Sequence, residues 1–365
     1  MEGSLIDFEG FLGGLSSAEK FFSADYAESK ARWFEAAKKV GAEINSITLG
    51  GSSKYSIDYA KIGNASSQNV FLHIAGTHGI EGFLGAAIQL AILSYLKNVP
   101  DNLSIIFIHC LNPWGMDNLR RVTEENIDLN RNFHSEDFSW KGSNAVYKKI
   151  NNFLNPKRKP SRLEPFLLNT LFQIVINGYA NLKQGIAGGQ YEFPEGIYFG
   201  GQHTSRNIRV LKEILSQELV SAQRVFGLEI HSGLGPSGYD TLFSSLDDSW
   251  VEQKAFESAL NHPLSSDDPK LSVGFRTTGD LSSGVRSLLG RERTAWILQE
   301  FGTFSNIRGL KVLRDENMHH FYGDGSLSHW SKKRLMEFFN PSSARWRRYV
   351  IGRGLRVFDS TLRVF

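Results

Sequence analysis

Val70-Phe71-Leu72-His73-Ile74-Ala75-Gly76, then Thr77-His78-Gly79-Ile80-Glu81, then the apolar run from Phe83 to Leu93 constrain the fold more than any other part of the chain. A run rich in Val, Ile and Phe that stops at glycine reads as a buried strand. The apolar run beyond the turn reads as the helix that succeeds it. The same alternation recurs along the sequence. Strands are expected at 44–49, 55–60, 70–75, 103–110, 224–231, 240–244 and 294–301, with a hairpin turn at Gly50-Gly51-Ser52-Ser53. Helices are expected at 24–40, 81–96, 144–153, 165–181, 205–219, 249–260 and 326–339. This order predicts an α/β fold: a mixed, mostly parallel central sheet with helices on both faces, an α/β/α sandwich.

The turn itself carries chemistry. His78 and Glu81 stand three positions apart where a strand runs out into a helix, the place where open α/β sheets hold their ligands. That spacing suits two ligands of one metal ion, and a hydrolytic zinc needs a third from the protein. His231 is the candidate, because it ends the apolar strand Val225-Phe226-Gly227-Leu228-Glu229-Ile230 and precedes Ser232-Gly233. Position 82 is glycine and no His-Glu-x-x-His occurs, so the shorter zinc motifs are absent. His73, His109, His203, His262, His319, His320 and His329 lack such a setting and read as surface or satisfied core histidines.

Composition narrows the partners. The 365 residues are 41% hydrophobic and 22% charged, a globular balance with material for a large core, and the net charge is only +3. Arg345, Arg347, Arg348, Arg353, Arg356 and Arg363 cluster near the C-terminus. Val350, Ile351, Leu355, Val357 and Phe358 between them read as the packed face of a helix, so no nucleic-acid partner is expected. The single cysteine, Cys110, lies in the apolar run Ile105 to Cys110 and excludes an internal disulfide. Met1 to Glu9 lacks a basic start and a secretory apolar stretch, and no run of about 18 apolar residues occurs. A cytoplasmic protein without membrane contact is the expectation; the oligomeric state is left open.

Further along come Asn112-Pro113-Trp114-Gly115, Asn126-Ile127-Asp128-Leu129-Asn130-Arg131-Asn132-Phe133, Glu229-Ile230-His231-Ser232 and Gln299-Glu300-Phe301-Gly302-Thr303. In that order, with the His78 and Glu81 turn, they resemble the carboxypeptidase A-like zinc metallopeptidases over roughly residues 40 to 305. That superfamily also includes the aspartoacylase and succinylglutamate desuccinylase deacylases. Phe22 to Ala27, Gly76 to Phe83 and Gly188 to Tyr191 look most like a poorly characterised bacterial branch of it.

The chain reads as one catalytic domain over 1–365, with a helical lead at 1–40, a basic helical extension at 326–365 and a stretch at about 134–202 that is either an insertion walling one side of a site or a purely structural excursion. The resemblance adds the site. It implies one zinc ion held by His78, Glu81 and His231. Glu300 matches the carboxylate that takes a proton from water and passes it to the leaving amine. Arg121, or Arg120 beside it, matches the arginine that polarises the scissile carbonyl and stabilises the oxyanion. Asn130 and Arg131 match the pair that grips a free carboxylate. Asp128 matches an aspartate that orients a ligand imidazole, here His78, with ordinary turn capping as its plain alternative.

The function so implied is zinc-dependent, carboxypeptidase-like hydrolysis of an amide or peptide bond in a small substrate with a free carboxylate. Deacylation of an N-acyl amino acid is the alternative. One departure favours keeping both: the family's substrate-contacting tyrosine has no counterpart between Leu271 and Gln299, and although Tyr191, Tyr198 and Tyr239 could reach in from other loops, none matches it by position. Gly233-Leu234-Gly235-Pro236-Ser237-Gly238 formally fits a dinucleotide-binding turn. The next residues, Tyr239 to Phe243, read as strand rather than helix, which disfavours an oxidoreductase. A noncatalytic metal-binding relative is disfavoured by the presence of both Glu300 and an arginine at the oxyanion position.

Overall fold

The computed structural model describes residues 4–13, 15–50, 54–244, 253–260, 262–265 and 277–364. Its strands are β1 (Glu43–Thr48), β2 (Ser56–Gly63), β3 (Asn69–Ile74), β4 (Ser104–Ile108), β5 (Arg224–Ser232), β6 (Asp240–Ser244) and β7 (Thr294–Phe301). Its helices are α1 (Phe8–Gly13), α2 (Tyr26–Lys39), α3 (Gly82–Tyr95), α4 (Pro113–Asp117), α5 (Ala145–Leu154), α6 (Phe166–Asn177), α7 (Tyr179–Ala187), α8 (Arg206–Glu218), α9 (Gln253–Leu260), α10 (Leu281–Leu289), α11 (Asn306–Tyr322), α12 (Trp330–Phe339) and α13 (Ala344–Val364).

The strands form one seven-stranded sheet in the order β1-β2-β4-β3-β5-β7-β6. Neighbours β4, β3, β5 and β7 run parallel, whereas β1, β2 and β6 join antiparallel at the edges. This is the mixed, mostly parallel sheet that the alternation predicts. Successive strand residues face opposite sides, and both sides are covered. Phe71, Ile105, Phe107, Phe226, Leu228 and Ile297 belong to a core shared with α3 and α13. Val70, Leu72, Ile106, Ile108, Val225 and Trp296 belong to a core shared with α8 and α10. Burial on two faces explains why these strands read as unbroken apolar runs.

The chain passes from β3 through α3 to β4 on one flank, then reaches β5 on the other flank of β3. The carboxyl ends of β3 and β5 therefore diverge around a crevice, the topological switch point of the sheet. His78 lies just past β3, and His231 is the next-to-last residue of β5.

Several helices differ from expectation. The span 165–181 is broken by Gly178 at φ +75°, which ends α6 and starts α7. The span 326–339 begins at Trp330, where the His329 side chain caps the first turn. The short helix α10 is not among the expected ones although it buries Leu281, Val285 and Leu289 at helical spacing, and α11 shows only a weak apolar pattern. The buried face of α11 explains this, since it carries Arg314, Asp315, Glu316, Asn317 and His319. Arg314 meets Glu164 through two hydrogen bonds of 2.6 and 2.7 Å, and Glu316 accepts from Arg120 and Lys332. A helix buried through charge pairs shows only a weak apolar stripe. Helix α13 does bury Val350, Ile351, Leu355, Val357 and Phe358 between its arginines. The tip of the hairpin turn at 51–53 and the first residues of the span expected at 249–260 lie outside the described residues.

Candidate metal centre

The turn after β3 is fixed from several sides. Gly76 leaves the strand at φ +67°, and a Cβ there would lie 2.5 Å from Cys110 Sγ. Gly79 packs so closely that a Cβ would lie 2.2 Å from the Gly115 carbonyl carbon in α4. The amides of Gly79 and Ile80 donate to the carbonyls of Arg121 and Arg120 at 3.0 and 2.8 Å. The metal turn and the arginine pair are thereby locked together, and α3 starts directly behind Glu81.

His78, Glu81 and His231 are all buried, and their candidate ligand atoms lie within 4.8 Å of one another. His78 Nε2 donates to Asp128 Oδ1 at 3.1 Å, and His231 Nε2 donates to Glu229 Oε1 at 2.6 Å. A carboxylate only accepts, so these contacts place the ring protons on Nε2 and leave the Nδ1 lone pairs facing inward. The two Nδ1 atoms face each other at 3.1 Å, and each lies 2.9 Å from a Glu81 carboxylate oxygen. Converging lone pairs repel unless a proton or a cation sits among them. Two imidazole nitrogens and a carboxylate oxygen are the donor types of a hydrolytic zinc site, so the residues present fit that ion. Among the described residues this is the one such group of His, Cys, Asp and Glu donors.

The surrounding charges agree with that need. Burial alone raises the Glu81 carboxyl, yet His78 and His231 hold it below the usual carboxylate range. Burial likewise lowers the His231 imidazole, but Glu229 and then Glu81 hold it well above its ordinary value. Asp128 is held far below the usual range against its own burial, first by Arg121 and then by His78. The carboxylates of Glu81 and Asp128 are thus kept ionised by the positive groups that converge on them.

Glu300 completes the floor. It pairs with His231 in the β5–β7 ladder, and its Oε1 accepts the Leu234 amide at 2.9 Å. Burial, reinforced by the Glu81 charge, pushes its carboxyl up to about 8. A cavity of about 260 Å³ opens above, lined by His78, Glu81, His231, Glu300, Arg121, Asn130 and Arg131.

The remaining candidates divide. Arg121 joins the cluster, with Nη1 on Glu81 Oε1 at 3.1 Å and Nε on Asp128 Oδ2 at 3.0 Å. Arg120 points elsewhere: it bonds Glu316, Asn126 and Asn317 and does not line the cavity, so its place is in the packing of α11. Asp128 serves His78 and caps its turn at once, because Oδ1 also accepts the Asn130 amide at 3.0 Å. Asn130 accepts the Leu281 amide at 2.9 Å, and Arg131 donates to the carbonyls of Asn130 and Ala187. The Ala187 carbonyl, accepting from both Nε and Nη2, fixes the direction of the Arg131 guanidinium.

Two functional residues are not evident from sequence. Glu229, inside an apolar strand, holds His231 and is itself held by Thr77 and Trp296 at 2.8 and 3.2 Å. Strand parity is the signal, since positions i and i+2 share a face. Tyr198 lines the cavity, with Arg121 and Arg131 at 5.4 and 5.8 Å from its ring centroid. Its φ of +57° is left-handed, a conformation that costs a bulky residue about 1 kcal/mol or more. Tyr191 instead spends its hydroxyl on the Arg131 carbonyl, and Tyr239 is exposed.

Solved structures similar to the chain include bovine thrombin-activatable fibrinolysis inhibitor in complex with tick carboxypeptidase inhibitor. The alignment has 12% identity and a TM-score of 0.51, and covers 94% of this chain and 97% of that one. Carboxypeptidase A from Helicoverpa armigera aligns at 15% identity and TM-score 0.45, over 86% of this chain and 72% of that one. Murein-tripeptide amidase MpaA from Escherichia coli O157 aligns at 17% identity and TM-score 0.40, over 74% and 92%. The fold is thus the zinc-carboxypeptidase-like α/β fold. No curated protein matches the chain in sequence. The family described as "Protein of unknown function (DUF2817)" matches residues 22–353, and the chain belongs to that family.

Proposed function

We propose that this chain is a zinc-dependent hydrolase that cleaves an amide or peptide bond in a small substrate carrying a free carboxylate, in the manner of a carboxypeptidase. The observation that carries this reading is the convergence of His78 Nδ1, His231 Nδ1 and Glu81 on one buried point, with Glu300 across the β5–β7 ladder. The fold shared with a protein solved in complex with a carboxypeptidase inhibitor supports it. His78, Glu81 and His231 are the proposed ligands. A zinc ion there supplies Lewis acidity and lowers the pKa of water toward about 7.

The chain's own residues do the rest. Glu300, beside His231 in the ladder and lining the cavity, is the carboxylate placed to accept a proton and to return it to a leaving amine. Arg121 keeps a fixed positive charge beside Glu81 and stabilises negative charge growing on the substrate oxygen. Arg131, oriented by the Ala187 carbonyl and helped by Asn130, takes the substrate carboxylate. Tyr198, between the two arginines and lining the cavity, is placed to touch bound substrate. Asp128 and Glu229 keep both ligand rings turned inward.

A second reading, deacylation of N-acyl amino acids, is favoured by the apolar part of the cavity. Ile174, Leu182, Ile186 and Leu310 form one apolar cluster along its wall. The zinc-loaded protein should be screened against peptides with free C-termini and N-acyl amino acids in parallel, and the preferred library selects the reading. Full activity after exhaustive chelation would sink both.

A further inference from the structure

Helix α6 faces the cavity on one side and water on the other. Thr170 and Ile174 line the cavity, and Phe166 packs against Phe153 at 5.8 Å between ring centroids. The opposite face carries Leu168, Leu171, Phe172, Val175 and Ile176, with Leu163 just before the helix, and these large apolar side chains are exposed: Leu163 to 93%, Val175 to 83% and Leu168 to 70%. Elsewhere among the described residues exposed large apolar side chains are scattered, as at Leu12, Val220 and Leu327. Scattered ones need no partner, but a contiguous strip on a single helix marks a surface that something covers.

The chain beside this strip states what kind of partner fits. Lys157, Arg158, Lys159 and Arg162 immediately precede it, and their counter-charges are few. Arg158 meets Glu164 at 2.7 Å, but Glu164 is already shared with Arg314, and Lys157 approaches Glu195 only to 3.9 Å. Between Glu164 and Glu192 the sequence contains no Asp or Glu. A second copy pressing the same face against this one would bring apolar groups and, beside the basic segment, only Glu164 and Glu195, which already have partners. An anionic bilayer offers both, an acyl boundary for the apolar strip and phosphates for the lysines and arginines.

We propose that α6 and the basic segment before it form a lipid-binding surface, with the helix lying along an anionic membrane face. No spanning segment is needed, and no helix of the described residues is long and apolar enough to cross a membrane. The expectation of no membrane contact rests on the lack of such a span, which does not bear on a helix lying in the interface. Because α6 also walls the cavity, this contact brings the cleft to the membrane.

The test is co-sedimentation of the full chain with vesicles of phosphatidylcholine alone and of phosphatidylcholine mixed equally with phosphatidylglycerol. Binding to the mixed vesicles is expected, and weaker binding to the neutral ones. The triple variant Leu168→Gln, Phe172→Gln, Val175→Gln should lower partition about a hundredfold. The pair Lys157→Gln, Lys159→Gln should lower it about tenfold on anionic vesicles only. All five positions are exposed, so an unchanged thermal midpoint is the control for folding. Absence of binding to either vesicle, or wild-type partition by the triple variant, overturns the proposal. So does a dimer in sedimentation velocity that the triple variant abolishes while no vesicle binding is seen, because then a second copy covers the strip.

Discussion

His73 and His78 lie on the same strand-to-turn segment and are both buried, yet their surroundings differ in kind. His73 sits in a neutral thread: Gln89 donates to its Nδ1 at 3.1 Å, Gln89 accepts from Trp33 at 2.8 Å, and the ring lies between Phe107 and Phe358. His109, nearby, meets the Ser29 hydroxyl at 3.0 Å. Burial lowers His73 to about 3 and His109 to about 4, so both stay neutral. His78 and His231 instead back onto Asp128 and Glu229 and turn their other nitrogens toward Glu81. What sets the two proposed ligand histidines apart from His73 and His109 is a buried carboxylate behind each ring, and burial alone does not separate them.

The sharpest way to break that contrast is to exchange one histidine from each setting. His231→Ala should reduce bound zinc from one ion per chain to none by elemental analysis, whereas His73→Gln should keep the full ion and lose only stability. Zinc lost from both would make the comparison worthless. Glu300→Gln comes next: it should retain zinc and lose hydrolysis by about a hundredfold to ten-thousandfold. A fall in zinc content instead would make Glu300 a ligand.

Smaller effects sharpen the role of the backing carboxylates. Glu229→Gln keeps a hydrogen-bond acceptor but removes the charge, and chelator competition should show zinc affinity down by about tenfold to a hundredfold. Affinity equal to wild type would mean that the carboxylate behind His231 is only packing. The neutral thread has its own signature in acid. A histidine whose pKa is lowered by folding binds fewer protons in the native than in the unfolded state, so stability is constant above about pH 6.5 and falls as pH drops below it. Each of His73 and His109 should cost about 0.7 kcal/mol between pH 7 and 6, read from urea midpoints. His109→Gln should flatten that slope by one histidine's share, and an unchanged slope would place the acid sensitivity elsewhere.

The same contrast explains which features are legible in the sequence. His78, His231 and Glu300 sit where apolar strands end, so strand pattern and polarity together expose them. Glu229 lies inside such a strand, and only its parity with His231 distinguishes it from a core position. The doubled arginine is ambiguous in sequence because adjacent residues differ by direction alone; the carbonyls that pair with Gly79 and Ile80 set that direction. Tyr198 reaches the cleft from a loop in a left-handed conformation that sequence does not announce. Helix α6 is legible as a helix, but its apolar residues do not reveal that one face stays in water, because partner surfaces and cores share a composition.

The crevice between β3 and β5 also sets an order of events in the cell. Glu81 and His231 are 150 positions apart, so until β5 has been made the emerging chain holds only two of the three proposed ligands, His78 and Glu81. The complete set of proposed donors for an ion exists only once β3 and β5 have paired. Unlike small zinc domains, which have no fold until the metal comes, this chain should survive a metal shortage as a folded, inactive store that recovers as soon as the ion is resupplied.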